Sequence, residues 1–373
     1  MEKHLHIVSL DVPYPVDHGG IFDLFYKITA LYQCGVHIHL HCFEYGRGHQ
    51  PELEKFCTEV HYYKRQLGHK GFSRQLPYIV ASRINEQLYE RLLKDEHPIL
   101  LEGIHCSYLL HNKKFANRKI FLRLHNTEYL YYRQLAKSTN NIFKKLYYLH
   151  ESILLKQFEK SIANRATLLT LSEQDATVYR KEFGATRLIN LPVFLPFTEI
   201  KSQAGFGFFC LYHGNLSVSE NEKAALWLLK EVFNNLNVPF VIAGKNPSKR
   251  LEKMAHQKPN TCVVANPSWE EMQDMLGKAQ INIIPSFNAT GVKLKLLNVL
   301  FNGRHCVVNE ATIAGTGLEA ACHIGTTANA IKSIIIQLYH KPFEEEEITL
   351  RKTLLNASFD NLRNAQQLLT WIW

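Results

Sequence analysis

The stretch from Ile281 to Val308 constrains this chain more than any other. Ile281-Asn-Ile-Ile-Pro-Ser286 is a short apolar run that reads as a buried strand. Thr290 and Gly291 then open a helix whose apolar positions Val292, Leu294, Leu297, Leu300 and Phe301 recur at helical spacing. Gly303 closes that helix, and His305-Cys-Val-Val308 begins another strand. A strand, a turn of small residues and a helix N-terminus form an anion site, because unpaired amides and the helix dipole point at one spot. Lys293 and Lys295 stand in the first turn, where the dipole alone would favour acids. Two cations set against the dipole point to an anionic, phosphate-bearing ligand; two solvated lysines on a surface helix are the plainer alternative.

The same alternation runs through the rest of the chain. Leu5–Leu10 reads as a strand, Pro13 to Gly20 as a loop, Ile21–Cys34 as a helix ended by Gly35, and Val36–Phe43 as a second strand. Further strands near Glu59–Tyr63, Pro98–Glu102, Ile120–Arg123 and Leu168–Ser172, the last strand of this half, indicate a parallel sheet wrapped by helices. Gly19 and Gly20 let backbone approach a ligand at the carboxyl end of the first strand, where such sheets bind ligands. His125, Asn126 and Glu128 follow another strand end, with His125 and Glu128 the candidates for chemistry. The aperiodic Pro/Gly-rich segment from Leu191 to Gly207 marks a domain boundary, since 373 residues exceed one ordinary core. Beyond it a second series begins, with strands at Phe208–Asn215, Phe240–Lys245 and Cys262–Pro267 and capping boxes at Ser219/Glu222 and Ser268/Glu271. The expected architecture is α/β: two Rossmann-like domains whose parallel sheets face across a cleft. The first spans 1–195, with a C-terminal helix at 358–373 packing back, and the second spans 198–357.

Net charge is +9, favouring anionic partners, yet no stacking motif suggests nucleic acid. Eight cysteines are scattered without a Cys-x-x-Cys pair, as expected of reduced, buried thiols in a cytosolic protein. No leader or membrane-spanning run is visible. Histidines 4 and 6, and 37, 39 and 41, each share a strand face and could chelate, but no acid or cysteine joins them at ligand spacing. Packed neutral histidines are the expectation. The helix containing Phe143, Leu146, Tyr147, Ile153, Leu154, Phe158 and Ile162 reads as amphipathic, with Lys144, Lys145, Lys156 and Lys160 elsewhere. It suits either an anionic membrane surface or an ordinary core contact.

Several of these segments resemble one family, the sugar-nucleotide-dependent glycosyltransferases of the GT-B fold, group-1 branch. Pro13-Tyr-Pro-Val-Asp-His-Gly-Gly20 resembles their N-terminal glycine loop, and Leu124-His-Asn-Thr-Glu-Tyr129 their His-Asn-x-Glu segment. Leu171-Ser-Glu173 resembles a strand end, and Tyr212-His-Gly-Asn-Leu216 with Glu220 and Asn221 the loop opening the donor domain. Gly291 to Gly303 is similar to the donor signature. The resemblance implies that Lys293, Lys295, Thr290 and Gly291 bind a diphosphate and that Ala265 to Pro267 hold the base. Gly214, Asn215 and Lys245 belong to the same donor region, Gly19 and Gly20 approach the phosphates, and His125 faces sugar and acceptor. It implies a hexosyltransferase acting with retention on a glycan or lipid-linked acceptor. Its donor is a nucleotide sugar used as co-substrate, with no cofactor and no metal, at the cytoplasmic side of a membrane. The chain departs from the pattern at Asn298, in place of a ribose-binding Glu, and at Thr290, in place of a sugar-binding acid. Arg304 and His305 replace a small residue and a proline, and the Gly214 loop lacks the usual Arg and Lys. A degenerate, non-catalytic protein of this fold that binds nucleotide, glycan or a partner enzyme is the alternative.

Overall fold

The computed structural model describes residues 2–16, 19–139, 141–287 and 293–373. The chain divides into two compact units. One comprises residues 2–196 and the C-terminal segment 358–373, and the other residues 197–287 and 293–357, as far as these are described.

The first unit holds a seven-stranded parallel sheet. In chain order its strands are β1 (Lys3–Ser9), β2 (Val36–Glu44), β3 (Glu59–Lys64), β4 (Ile99–Glu102), β5 (Ile120–Leu124), β6 (Thr167–Thr170) and β7 (Leu188–Asn190). Their spatial order is 3-2-1-4-5-6-7. Adjacent residues point to opposite faces, and both faces are buried. Ile99, Leu101, Leu122 and Leu168 meet Phe158, Ile162 and Tyr179 on one side, while Leu100, Phe121 and Leu169 meet Leu24, Ile28 and Leu31 on the other. This second layer also takes Ala365, Leu368 and Ile372 from the last helix, Asn361–Ile372, which Asp360 caps. That helix starts three residues later than Ser358. The first helix runs Gly19–Gln33, beginning two residues before Ile21, and the turn after it needs Gly35 at φ +77°.

The second unit holds a six-stranded parallel sheet: β8 (Cys210–Asn215), β9 (Phe240–Lys245), β10 (Thr261–Ala265), β11 (Ile281–Ile284), β12 (His305–Val308) and β13 (His323–Ile324). Its order, 10-9-8-11-12-13, repeats the pattern of the first sheet. In both sheets the order reverses beside the first strand, between β1 and β4 and between β8 and β11. Open α/β sheets bind ligands at the carboxyl ends of strands flanking such a point.

Four expectations need correction. Leu168–Ser172 is not the last strand of its half, because β7 pairs with β6 after the Ser172-capped helix that Gly184 ends. Ser219 and Glu222 form no capping box; Val218 occupies the cap position, and Glu222 instead accepts a hydrogen bond from Ser248. Ser268 and Glu271 do form one. The helix after β11 starts at Leu294 with Lys293 as its N-cap residue, while Thr290, Gly291 and Val292 lie outside the described residues. The amphipathic helix, Ile142–Ile162, does not bury one continuous side. Leu154, Leu155, Phe158 and Ile162 enter the core, whereas Phe143 is 80% exposed and Ile142, Leu146 and Ile153 are each 59% exposed.

Candidate functional site

At the switch point of the first sheet, the ends of β4 and β5 place Glu102 and His125 together. His125 Nε2 lies 3.1 Å from Glu102 Oε2. The other Glu102 oxygen accepts from Lys27 Nζ at 2.6 Å, and Lys27 also donates to Asp23 at 3.0 Å. Asp23 in turn takes two hydrogen bonds from the Arg123 guanidinium, at 3.0 and 2.9 Å, and one from the Phe194 amide at 2.9 Å. Asp23, Lys27, Glu102 and Arg123 are all buried, and two carboxylates balance two cations. Burial pushes the Asp23 carboxyl up, but Arg123 and Lys27 outweigh it and hold Asp23 far below the usual carboxylate range. Glu102 is likewise held down against its burial, by Lys27 and His125. The local reason is periodic. Arg123 shares a strand face with Phe121, and Asp23 and Lys27 are one helical turn apart on the helix covering that face.

A carboxylate at Nε2 favours the tautomer with its proton there, which leaves Nδ1 of His125 as the basic nitrogen. A Cβ placed on Gly20 would sit 3.9 Å from that Nδ1. Bare backbone at Gly20 therefore keeps the space before the basic nitrogen open, at the start of the helix that Gly19 begins.

Glu128 occupies a different setting. It starts the helix Glu128–Ser138 and is buried. The amides of Glu128 and Tyr129 donate to Glu159 at 2.9 and 3.0 Å, and that of Thr127 donates to Asp175 at 3.1 Å. This helix N-terminus is thus filled by the protein's own carboxylates. Burial raises the Glu128 carboxyl to about 7 and that of Glu159 to about 8. Among the described residues the Glu128 side chain takes only a long 3.5 Å contact from Asn126.

In the second unit, Lys295 lies over the carboxyl end of β8. Its Nζ donates to Asn221 Oδ1 at 2.8 Å and stands 5.2 Å from the centre of the Tyr212 ring. Asn221 is itself fixed, accepting from the Tyr212 hydroxyl at 3.0 Å and donating to the Asn215 carbonyl at 2.8 Å. A Cβ on Gly214 would come within 3.2 Å of the Lys295 Nζ, and one on Gly244 within 1.7 Å of the Gly214 carbonyl oxygen. Gly244 is closed to any side chain, and one at Gly214 would crowd the Lys295 ammonium and Asn221. Among the described residues no carboxylate lies within ion-pair distance of the Lys295 ammonium. Burial and neighbouring Lys293 lower it to about 8, with Glu220 opposing them more weakly. Beside it, burial and Lys295 push His213 down to about 3, and among the described residues neither His213 Nδ1 nor Glu220 Oε1 has a hydrogen-bond partner.

Lys245 is exposed at the end of β9, opposite Asn215 on β8. Ala265 ends β10. The next residue, Asn266, adopts φ +53° and accepts from the Asn246 amide at 2.8 Å, tying the turn before Pro267 to the end of β9. Asn298 is buried on the helix Leu294–Asn302, and its Oδ1 already accepts from Asn302 Nδ2 at 2.8 Å.

No known family model matches the chain. A protein of Klebsiella pneumoniae described as an uncharacterized 44.6 kDa protein in cps region is 30% identical over 329 residues, covering 83% of this chain and 84% of that protein. The chain belongs to that protein's family. Anabaena HepE, solved in complex with UDP and glucose, matches with a TM-score of 0.66 at 13% identity over 99% of both chains. A glycosyltransferase from Rickettsia africae ESF-5 matches at 0.64 and 13%, over 100% of this chain and 98% of that one. MurG of Acinetobacter baumannii matches at 0.53 and 12%, over 99% of both. The family therefore has the GT-B fold of glycosyltransferases. Residues that sequence reasoning missed in this family member are Asp23, Lys27, Glu102, Arg123 and, as a site residue, Asn221. One signal was available: an arginine inside the apolar strand Ile120–Leu124 requires a buried partner.

Proposed function

We propose that this protein is a glycosyltransferase that moves a hexose from a nucleoside diphosphate sugar to a glycan or lipid-linked acceptor in polysaccharide synthesis. The observation that carries the reading is the Lys295 ammonium, held over Gly214 by a neutral oxygen and an aromatic ring, with no carboxylate partner among the described residues. A half-buried cation is stabilised by a charged partner, and a diphosphate at the carboxyl end of β8 supplies that partner. Lys293 and the Gly214–Asn215 turn contribute to the same anion site, with Thr290 and Gly291 assigned to it by resemblance. The Ala265–Pro267 turn and Lys245 are assigned to the nucleoside, and Asn298 to the ribose through its remaining lone pair or its amide protons. With positive charge supplied by lysine, the leaving diphosphate needs no metal ion. Retention of anomeric configuration, Gly19 and Gly20 as ligand contacts assigned by resemblance alone, and Glu128 as a carboxyl near neutrality complete the reading.

The His125–Glu102 pair serves transfer rather than nucleotide binding. His125→Ala is expected to bind nucleoside diphosphate with unchanged affinity and to lose roughly 10²–10⁴-fold in transfer rate. Calorimetry and release of nucleoside diphosphate from a panel of sugar nucleotides read the two separately. If no nucleoside diphosphate or its sugar binds the wild type, the non-catalytic alternative replaces this reading.

The acceptor reading includes a membrane surface. Ile142, Phe143, Leu146 and Leu149 are exposed on the first half of their helix and Ile153 just beyond it, beside exposed Lys144 and Lys145. Apolar side chains flanked by lysines fit the boundary of an anionic bilayer. Among the described residues no helix is long and apolar enough to cross a membrane. Sedimentation with phosphatidylglycerol vesicles should carry the wild type down, and Phe143→Ser with Leu146→Ser should reduce the bound fraction about tenfold, since each removes buried apolar area. Equal binding by both, or none by either, discards the membrane surface.

A further inference from the structure

The opposite, amino-terminal end of the first sheet carries a histidine array outside the proposed transfer chemistry. His4 and His6 on β1 face His39 and His41 on β2, and His97 precedes β4. Two chains of contacts run through it, and they differ in one respect.

The inner chain satisfies itself. Tyr63 has a hydroxyl 2.9 Å from His41 Nδ1, His41 Nε2 is 2.9 Å from His6 Nδ1, and His6 Nε2 is 3.0 Å from both oxygens of Asp95. Protons placed in one direction, from the tyrosine through both rings to the carboxylate, give every atom a donor or an acceptor with both imidazoles neutral.

The outer pair does not. His4 Nδ1 and His39 Nε2 face each other at 3.0 Å. Their other nitrogens face carboxylates, His4 Nε2 at 3.4 Å from Glu2 and His39 Nδ1 at 3.7 Å from Glu59. Three contacts in a row need three protons, and two neutral rings carry two; with both turned outward, toward Glu2 and toward the Glu59 oxygen that His61 also approaches at 2.9 Å, the two central nitrogens offer their lone pairs to one ion. A third imidazole, His97, stacks on His4 with centroids 4.7 Å apart, and one ligand nitrogen from each of His4, His39 and His97 can be chosen so that all lie within 4.8 Å. All three rings are half-buried, so an ion has access.

We propose that His4, His39 and His97 bind one divalent transition-metal ion of the zinc class. Imidazole suits such ions, with metal–nitrogen distances of about 2.0–2.1 Å, so ligands on a tetrahedral ion stand about 3.3 Å apart. The His4–His39 pair is already close to that spacing, and His97, on the segment before β4, has at most about 1.5 Å to close. Glu2 and Glu59 occupy the place of the outer carboxylates that orient metal-bound imidazoles and raise their basicity. Water or solute completes the coordination. The bound ion ties β1, β2 and the lead-in to β4 together at the end of the sheet remote from Glu102 and His125, so its role is structural.

Equilibrium dialysis of the full chain against Zn²⁺, with bound metal counted, tests this. The wild type should hold one equivalent more than His39→Gln or His97→Gln, or hold it at least tenfold more tightly. Saturating Zn²⁺ should raise the wild-type Tm and leave those of the two variants unmoved. His97→Gln lies off the strands and keeps the test valid if His39→Gln folds poorly. His323→Gln, in the separate His305–His323–Glu347 cluster, should retain the equivalent. No Zn²⁺ bound by the wild type, or the same stoichiometry and affinity in wild type and both variants, overturns the proposal and leaves a shared proton between His4 and His39.

Discussion

Asp23→Ala is expected to cost the first unit about 3–5 kcal/mol of stability, the penalty typical of breaking a buried ion network from one side. The loss of one small carboxylate leaves Arg123 and Lys27 buried against Glu102 alone, and it also strips the Phe194 amide of its acceptor. Arg123 keeps the Leu191 and Pro192 carbonyls, at 2.5 and 3.0 Å, but these are dipoles and not charges. Replacing both partners, Asp23→Leu with Arg123→Met, should recover much of the loss, because neutral side chains of similar size remove the uncompensated charge. Denaturant unfolding followed in the first unit reads both. The network also makes a statement about acid. Arg123 and Lys27 hold Asp23 below its unfolded value, so its contribution is fully present above about pH 4 and is lost only as pH falls toward the folded value. Asp23→Ala should accordingly flatten the acid limb of the stability curve. A single variant as stable as wild type would mean that solvent reaches the site.

How much of this was legible in the sequence depends on chain separation. The α/β class was, because each strand run is followed by a small-residue turn and a helix, and that order repeats from Leu5 to Val308 without long-range knowledge. Short-range devices were mixed. Ser172 and Ser268 cap their helices as local rules require, while Ser219 does not, since Glu222 turns to Ser248, 26 residues away. The three-residue β7 carries too few side chains to show a period. The proposed sites illustrate the same limit. Two lysines beside a strand end flagged the 293–295 region, but Asn221, which positions Lys295, is 74 residues distant. Asp23 and Arg123 are 100 residues apart, so neither announces the other. The histidine face on β2 was visible at once, yet His97, and Glu59 on β3, reach it only through strand order. The exposed first half of the Ile142–Ile162 helix could not be read from periodicity, because amphipathic pattern gives a face without saying what covers it.

Lys295→Met is expected to separate binding from stability. If the ammonium serves an anionic ligand, removing its charge should weaken nucleoside diphosphate binding by about 1.5–3 kcal/mol, which is roughly 10- to 150-fold in Kd. The ligand-free protein should be no less stable and should gain. Burial and Lys293 already press the ammonium toward neutrality, and methionine fills similar volume over Tyr212 with no charge to desolvate. The pH dependence has a definite sign. Between about 8 and the ordinary lysine value the unfolded chain holds a proton that the folded chain lacks. Ligand-free stability therefore rises with pH across that window, and the charged lysine is destabilising below it. A diphosphate reverses the preference by pairing the ammonium, so wild-type nucleotide affinity should fall as pH rises through about 8, and the methionine variant should lose that dependence. Were Lys295 only a structural anchor for Asn221, Lys295→Met would lower Tm and leave nucleotide affinity untouched. Calorimetric titrations at pH 7 and pH 9, with thermal unfolding of both proteins, distinguish the two outcomes, because the ligand role and the anchor role move Kd and Tm in different combinations.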